Sequence, residues 1–369
     1  MTPRKNKNKK CPPSLFDSQD LFAESSDLRH DKDAENLANA VTAFENEDWM
    51  SGYCFAQKTD MKDARIQYYM GCCFEFGYGV VKNKAKAYAW YKKAAENGDA
   101  RGQCVIGNCY EFGDGTDVDL DEALKWYRRA AENGECYGMA QVGRFYEFGR
   151  GVDVNYIEAF KWYTKAARKG EPFAQRELGI FYEYGRGTKR DLKKAFMWYS
   201  KAAKNGDSHG QANLAIMYEF GRGTVKNIGK AFYWYKKSAE NGYSNAQYTL
   251  GDMYENGIGT EVNLVEALRW YEKSVESGNP EGMNHLGSLY IQGRGVTKDF
   301  AKALELFKLS ASNGSAKGLH NIGYCYENGY GVARDLDVAR GWYEKAAKQG
   351  DEDAIEKMKL LGNKKVDGV

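Results

Sequence analysis

The sequence predicts an all-α fold, a right-handed α/α superhelix (a solenoid) of eight 36-residue helical hairpins. Three observations predict it. The pair Trp-Tyr recurs every 36 residues at Trp90-Tyr91, Trp126-Tyr127, Trp162-Tyr163, Trp198-Tyr199, Trp234-Tyr235 and Trp270-Tyr271, and returns at Trp342-Tyr343, with Leu306-Phe307 in the vacant slot. Gly-x-Gly keeps the same period from Gly77/Gly79 to Gly329/Gly331, with no insertion. Between these markers apolar residues fall at helical spacing. A fixed period of this length is the signature of stacked repeats, each unable to bury its apolar stripe alone.

The elements follow in order. Residues 1–32 carry Arg4, Lys5, Lys7, Lys9 and Lys10, then polar residues with Pro12-Pro13. They read as a disordered basic and polar tail. Residues 33–62 hold a capping helix near Ala34–Phe44 and a degenerate half-repeat at Met50–Lys58, where Phe55 takes the Tyr slot. Eight repeats fill 63–350. In 351–369 a capping helix at Ala354–Leu361 covers the last hairpin and a short tail follows.

One unit, Glu171 to Gly206, shows the internal logic. Helix A spans Phe173–Tyr184, with Ala174, Leu178, Phe181 and Tyr182 on its inner side. Gly185-Arg186-Gly187 ends it, since glycine accepts the left-handed conformation that closes a helix. Asp191 is placed to cap helix B, Leu192–Lys204, whose stripe is Ala195, Trp198, Tyr199, Ala202 and Ala203. Asn205-Gly206 stops it.

Composition narrows the functional classes. Net charge is +2, from 53 basic and 51 acidic residues, so the whole chain has no pull toward nucleic acid or an acidic membrane. No apolar run reaches the roughly 18 residues of a membrane span. No apolar stretch follows the basic N-terminal run, so no secretory signal is read there and a cytoplasmic protein is expected, with the nucleus as the alternative. The eight cysteines follow no disulfide or zinc spacing and are expected to be reduced. No phosphate-binding, dinucleotide, zinc-protease or serine-hydrolase motif occurs. His285 and His320 could face each other across adjacent helices A, but two histidines without a third ligand make a poor zinc site. Asn313-Gly314-Ser315 matches a glycosylation sequon and is read as a helix stop. No enzyme activity, cofactor or metal is expected.

The unit A-x-x-x-L-G-x-x-Y-x-x-G-x-G followed by A-x-x-W-Y-x-K-A-A-x-x-G resembles the Sel-one-like repeat, a relative of the tetratricopeptide repeat. Repeat 4 carries it as Ala174, Leu178, Gly179, Tyr182, Gly185, Gly187, Ala195, Trp198, Tyr199, Lys201, Ala202, Ala203 and Gly206. The resemblance implies an adaptor or scaffold that binds through its superhelix surface, with helix A lining the concave side. An activating subunit of an enzyme, such as a polysaccharide synthase, is the alternative it implies. A secreted branch of the family staples each hairpin with a cysteine pair. Here Cys73, Cys109 and Cys325 instead share one helix-A slot with Phe181 and Met217, as small core residues.

Specificity is expected where the copies differ. The slots of Phe173, Arg176 and Ile180 lie at i, i+3 and i+7 on one side of helix A and vary between repeats. Across the repeats they give the candidate partner-binding residues Arg101, Asn108, Tyr137, Arg144, Phe173, Arg176, Ile180, His209, Ile216, Tyr248, Asp252, His320 and Tyr324. The expected partner is a protein or peptide, not nucleic acid, and the chain is expected to be monomeric by itself.

Two further slots recur. Glu75, Glu111, Glu147, Glu183, Glu219, Glu255 and Glu327, with Ile291 in repeat 7, stand in the last turn of helix A, where a carboxylate opposes the helix dipole. A compensating cation is required. Arg150, Arg186 and Arg222, three residues on, are candidates, as are lysines of helix B, within a structural pair in each hairpin. The next slot is Phe76, Phe112, Phe148, Tyr184 and Phe220, then Asn256, Gln292 and Asn328. Packing of each ring on the following hairpin is the favoured reading, and an apolar strip for a peptide is the alternative. Repeat 7 lacks Trp-Tyr, the Glu and the ring together, so a weak point or bend is expected there.

Overall fold

The computed structural model describes residues 26–363. The secondary structure among them is nineteen α-helices. The chain divides into two compact units, residues 1–106 and 107–369, with the boundary inside helix α5 (Ala100–Phe112).

In the first unit α1 (Ser26–Glu45) and α2 (Trp49–Ala56) precede the first hairpin, α3 (Ala64–Phe76) and α4 (Lys84–Glu96). The capping helix therefore begins before Ala34, and residues 26–32 belong to it rather than to the tail. The remainder of that tail, residues 1–25, lies outside the described residues. Phe44 of α1 stacks on Tyr69 of α3 with ring centroids 4.6 Å apart. Ala40, Val41, Ile66, Met70 and Cys73 complete that core. The two flanking helices thus give the first hairpin an apolar partner that no preceding repeat supplies.

In the second unit the A helices after α5 are α7 (Cys136–Phe148), α9 (Pro172–Tyr184), α11 (Ser208–Phe220), α13 (Ser244–Asn256), α15 (Pro280–Gln292) and α17 (Ala316–Asn328). The B helices are α6 (Leu120–Glu132), α8 (Tyr156–Arg168), α10 (Leu192–Lys204), α12 (Ile228–Glu240), α14 (Leu264–Glu276), α16 (Phe300–Ser312) and α18 (Leu336–Lys348). The last element, α19 (Glu352–Asn363), packs on α18. From α6 to α19 each helix packs on its neighbours in sequence, A on B within a hairpin and B on the next A, which is solenoid stacking.

The local signals behave as the residues dictate. Asp191 caps α10 by accepting a bond from the Lys194 amide at 3.0 Å. Gly185, at φ 72°, closes α9, and its N–H donates to the Phe181 carbonyl. The second glycine of the pair serves contact as well as conformation. A Cβ on Gly187 would lie 2.2 Å from the Tyr156 carbonyl oxygen, so the loop of one repeat rests on the first turn of helix B of the repeat before it. Within the hairpin, Gly179 faces the Tyr199 ring, and a Cβ there would come within 2.5 Å of it. Tyr127, Tyr163, Tyr199, Tyr271 and Tyr343 are fully buried by this close approach. Repeat 5 departs from the pattern, with Ala215 in the glycine slot and its Tyr235 slightly exposed.

The cysteines at the shared helix-A slot, Cys73, Cys109 and Cys325, are buried, and all described cysteines are free thiols. Burial in apolar surroundings pushes the Cys73 and Cys325 thiols up to about 12, where they are protonated and unreactive. Asn313 follows the end of α16, and Ser315 caps α17 through the Gly318 amide at 3.2 Å.

Candidate functional site

The glutamate at the end of each helix A is structural, and its geometry sets the face beside it. In every repeat that carries the glutamate, the tyrosine of the same hairpin's helix B donates its hydroxyl to it. The bonds are Tyr91 to Glu75 (2.5 Å), Tyr127 to Glu111 (2.8 Å), Tyr163 to Glu147 (2.8 Å), Tyr199 to Glu183 (2.6 Å), Tyr235 to Glu219 (2.8 Å), Tyr271 to Glu255 (2.8 Å) and Tyr343 to Glu327 (2.6 Å).

The cation does not come from the same hairpin. Arg150 pairs with Glu111, Arg186 with Glu147 (3.1 Å), Arg222 with Glu183 (2.6 Å) and Arg294 with Glu255 (2.6 Å). Arg150, Arg186 and Arg222 thus reach back to the preceding repeat instead of to the glutamate three residues before them, and Arg294 does the same where Ile291 stands in that place. The left-handed glycine turns the chain at that point and aims the arginine away from its own helix. No helix-B lysine serves in this role among the described residues. Glu327, in the last repeat, takes Lys357 of α19 at 2.9 Å. Each of these pairs stitches two hairpins, and the carboxylate opposing the helix dipole is compensated by a neighbour rather than by its own loop.

Repeat 7 replaces the whole set together. Ile291 stands for the glutamate, Phe307 for the tyrosine, and Tyr330 for the arginine of the next repeat, and all three join one apolar cluster. An apolar trio of similar volume is often no weaker than a buried ion pair.

The thirteen candidate residues divide by exposure. Tyr137, His209 and Tyr324 are open to solvent. Arg101, Asn108, Arg144, Phe173, Arg176, Ile180, Ile216, Tyr248 and Asp252 are half-buried, and His320 is buried. Several have intramolecular partners. Arg101 pairs with Asp99 at 2.9 Å and lies over Tyr68. Arg144 pairs with Glu111. Tyr137 donates to Asn108 at 3.2 Å. Arg176 lies over the Phe173 ring, pairs with Glu177 at 2.8 Å and approaches Asp207 at 3.7 Å. Asn256 donates to Asp252 at 2.9 Å. Ile180 and Ile216 pack against core clusters.

His285 and His320 do not meet. His285 Nε2 lies 3.0 Å from the Tyr248 hydroxyl, and His320 Nδ1 lies 3.1 Å from Asp351 Oδ1. Burial lowers the pKa of His320, which favours the neutral imidazole. Among the described residues no three His, Cys, Asp or Glu gather as a metal site.

The open stripe of helix A is rotated from the expected one. It follows the slots of Phe173, Ile180 and Tyr184, with the Glu177 slot between them, at i, i+4, i+7 and i+11; that slot is half-open in repeats 2 and 5 to 8 and buried as Tyr69, Gln141 and Glu177. The Glu177 slot also varies, as Gln141, Asn213, Thr249, His285 and Asn321. The Tyr184 slot is the most exposed. Phe76, Phe112, Phe148, Tyr184 and Phe220 are each between 51% and 65% exposed, so these rings do not pack away on the following hairpin. They end their helices, and the glycine that follows leaves no side chain to cover them.

In repeats 6 to 8 the row continues as the exposed carboxamides Asn256, Gln292 and Asn328. Beside Gln292 a cavity of about 550 Å³ opens among Asn284, His285, Ser288 and Asn321. One face of the second unit therefore runs from aromatic to carboxamide. Sequence spacing is compatible with it, since i, i+4, i+7, i+11 is as helical as i, i+3, i+7.

These features define a class: a stack of helical hairpins whose shared positions pack and whose varying positions line one face. The chain belongs to the Sel1 repeat family. The family model for the Sel1 repeat matches eight consecutive segments, 64–99, 100–135, 136–171, 172–207, 208–243, 244–279, 280–315 and 316–351. Among solved structures, the chain is similar to a protective antigen of uropathogenic Escherichia coli displaying an SLR fold. The identity is 30%, with 91% of this chain and 82% of that one covered and a TM-score of 0.60. It is also similar to a Sel1 repeat protein from Oxalobacter formigenes, at 28% identity over 94% of this chain and 97% of that one, with a TM-score of 0.59. No match was found among the curated proteins. No helix among the described residues is long and apolar enough to cross a membrane.

Proposed function

We propose that the chain is an interaction scaffold that holds an extended segment of a partner protein along the concave, helix-A face of its repeats. The observation that carries this is the row of exposed rings continued by exposed carboxamides. Contiguous exposed aromatic surface on a folded protein marks an interaction site. Sel1 repeats belong to a class of helical repeat that mediates protein–protein interaction, which supports the same reading.

The two halves of the row suit different parts of one segment. Phe112, Phe148, Tyr184 and Phe220 offer ring faces to apolar side chains. The carboxamide oxygens of Asn256, Gln292 and Asn328 offer acceptors to a polypeptide main chain, while the Asn256 and Asn328 amide nitrogens are held by Asp252 and Tyr324. Tyr137, His209 and Tyr324 are the open members of the candidate stripe. Phe173, Arg176 and Ile180 lie on the same helix as Tyr184 and complete the contact at repeat 4.

The test is co-purification from cells with Phe148→Ala, Tyr184→Ala and Phe220→Ala combined. Loss of the partner, with helical circular dichroism unchanged, supports the proposal. Full retention of every partner would sink it.

A further inference from the structure

Repeats 4 and 5, like repeat 1, are strongly basic on the opposite side, along helix B. Between Tyr184 and Lys204 there are seven basic residues and one acid, Asp191. Over the equivalent span, Phe220 to Glu240, there are five basic residues and one acid, Glu240, which pairs with Lys237 at 3.2 Å. In a chain whose net charge is +2 this is a concentrated positive field. Asp191 is already engaged as the cap of α10 and by Lys194 at 3.6 Å. Among the described residues Lys193, Lys201, Lys204 and Lys236 form no ion pair.

The same two repeats change a second feature. One helix-B slot holds Ala89, Lys125, Lys161, Arg269, Glu305 and Gly341 in the other repeats, small or charged in each. In repeats 4 and 5 it holds Met197 and Tyr233, exposed by 42% and 52%. Between α10, α11 and α12 a cleft of about 440 Å³ opens, lined by Met197. Its floor is Phe196, Leu214, Tyr218 and Trp234, and Lys201 and Lys204 stand at its edge. Tyr233 lies against Trp234 with ring centroids 5.2 Å apart. The one hydroxyl in the lining besides Tyr218, Ser200 Oγ, donates to the Phe196 carbonyl at 2.8 Å.

We infer that this cleft is a second docking surface, distinct from the helix-A face, for an acidic segment of a partner protein anchored by one bulky apolar side chain. The lysines select the sign of the segment, and the cleft takes the anchor. Charge alone gives attraction without register, whereas an apolar pocket in the centre of a charged field fixes it. The lining favours an acidic polypeptide over nucleic acid. It has few groups to read base edges, and Phe196 and Trp234 are committed to packing with their neighbours.

The probe is a fluorescein-labelled peptide with Leu-Phe at its centre between runs of Asp and Glu, titrated into the full chain and read by anisotropy. The expected result is saturable binding that weakens about tenfold in Lys201→Glu/Lys204→Glu and also in Met197→Ala/Tyr233→Ala. On the wild-type chain, replacing Leu-Phe by Gly-Gly in the peptide weakens binding to a similar degree, and this arm needs no variant to fold. Equal binding of the Gly-Gly peptide, unchanged affinity in the lysine variant, or displacement of the peptide by single-stranded oligouridylate at lower concentration would each overturn the inference. Because none of these residues lies on the helix-A face, failure here leaves the proposed function standing, and the reverse holds.

Discussion

A glycine and a tyrosine at the centre of each hairpin set how closely its helices approach. Gly179 lets the Tyr199 ring lie against the backbone of α9, and an added methyl would sit 2.5 Å from that ring. Gly179→Ala is expected to cost about 1–3 kcal/mol, measured by urea unfolding, because a closely packed site must shift to admit it. The tyrosine hydroxyl matters separately. Tyr163→Phe removes the donor to buried Glu147, leaving it Arg186 alone, and should cost about 1–3 kcal/mol.

Glu177 gives a pH dependence. Burial raises its pKa to about 7, with the Arg176 guanidinium opposing the rise. The folded chain therefore holds a proton there, over the window from the ordinary carboxylate range to about 7, that the unfolded chain has released. Stability must fall as pH rises through that window. Melting temperatures between about pH 5 and pH 8 should decline less steeply in Glu177→Gln than in the parent.

At the scale of elements, the helices were legible because every repeat writes the same caps and stops. The bounds of α10, Leu192–Lys204, follow from Asp191 and Asn205-Gly206 without any tertiary information. The start of α1 at Ser26 was not legible, since residues 26–33 carry charge rather than an apolar stripe. The partner of each glutamate was not legible either. Proximity in sequence placed Arg150 with Glu147, whereas stacking places it with Glu111. The exposure of the ring row also depended on stacking, because spacing says which side of a helix a residue takes but not whether the next hairpin covers it.

The substitution set in repeat 7 makes a prediction at this scale. Ile291→Glu alone puts a carboxylate beside Phe307 and Tyr330 without the helix-B tyrosine hydroxyl or the arginine that the other repeats supply, and should destabilise by roughly 3 kcal/mol. Adding Phe307→Tyr and Tyr330→Arg should recover most of that loss. The coupling is read by comparing denaturant midpoints across the cycle. Additive losses would mean that the three positions do not act as a set.

For the whole molecule, the repeated positions fix the fold and the departures from them carry the functional reading. Stacking buries Tyr and Ala and at least half-buries Trp in the shared slots, so substitutions confined to the ring row should leave stability within about 0.5 kcal/mol while removing partner binding. The most direct measurement of the central claim is hydrogen–deuterium exchange of the full chain, free and bound to its co-purified partner. Added protection is predicted at the C-terminal turns of the A helices, over Phe148, Tyr184, Phe220 and Asn256, and not along the B helices of repeats 2 and 3. Protection confined to B helices, with the A-helix ends exchanging as in the free protein, would contradict the account.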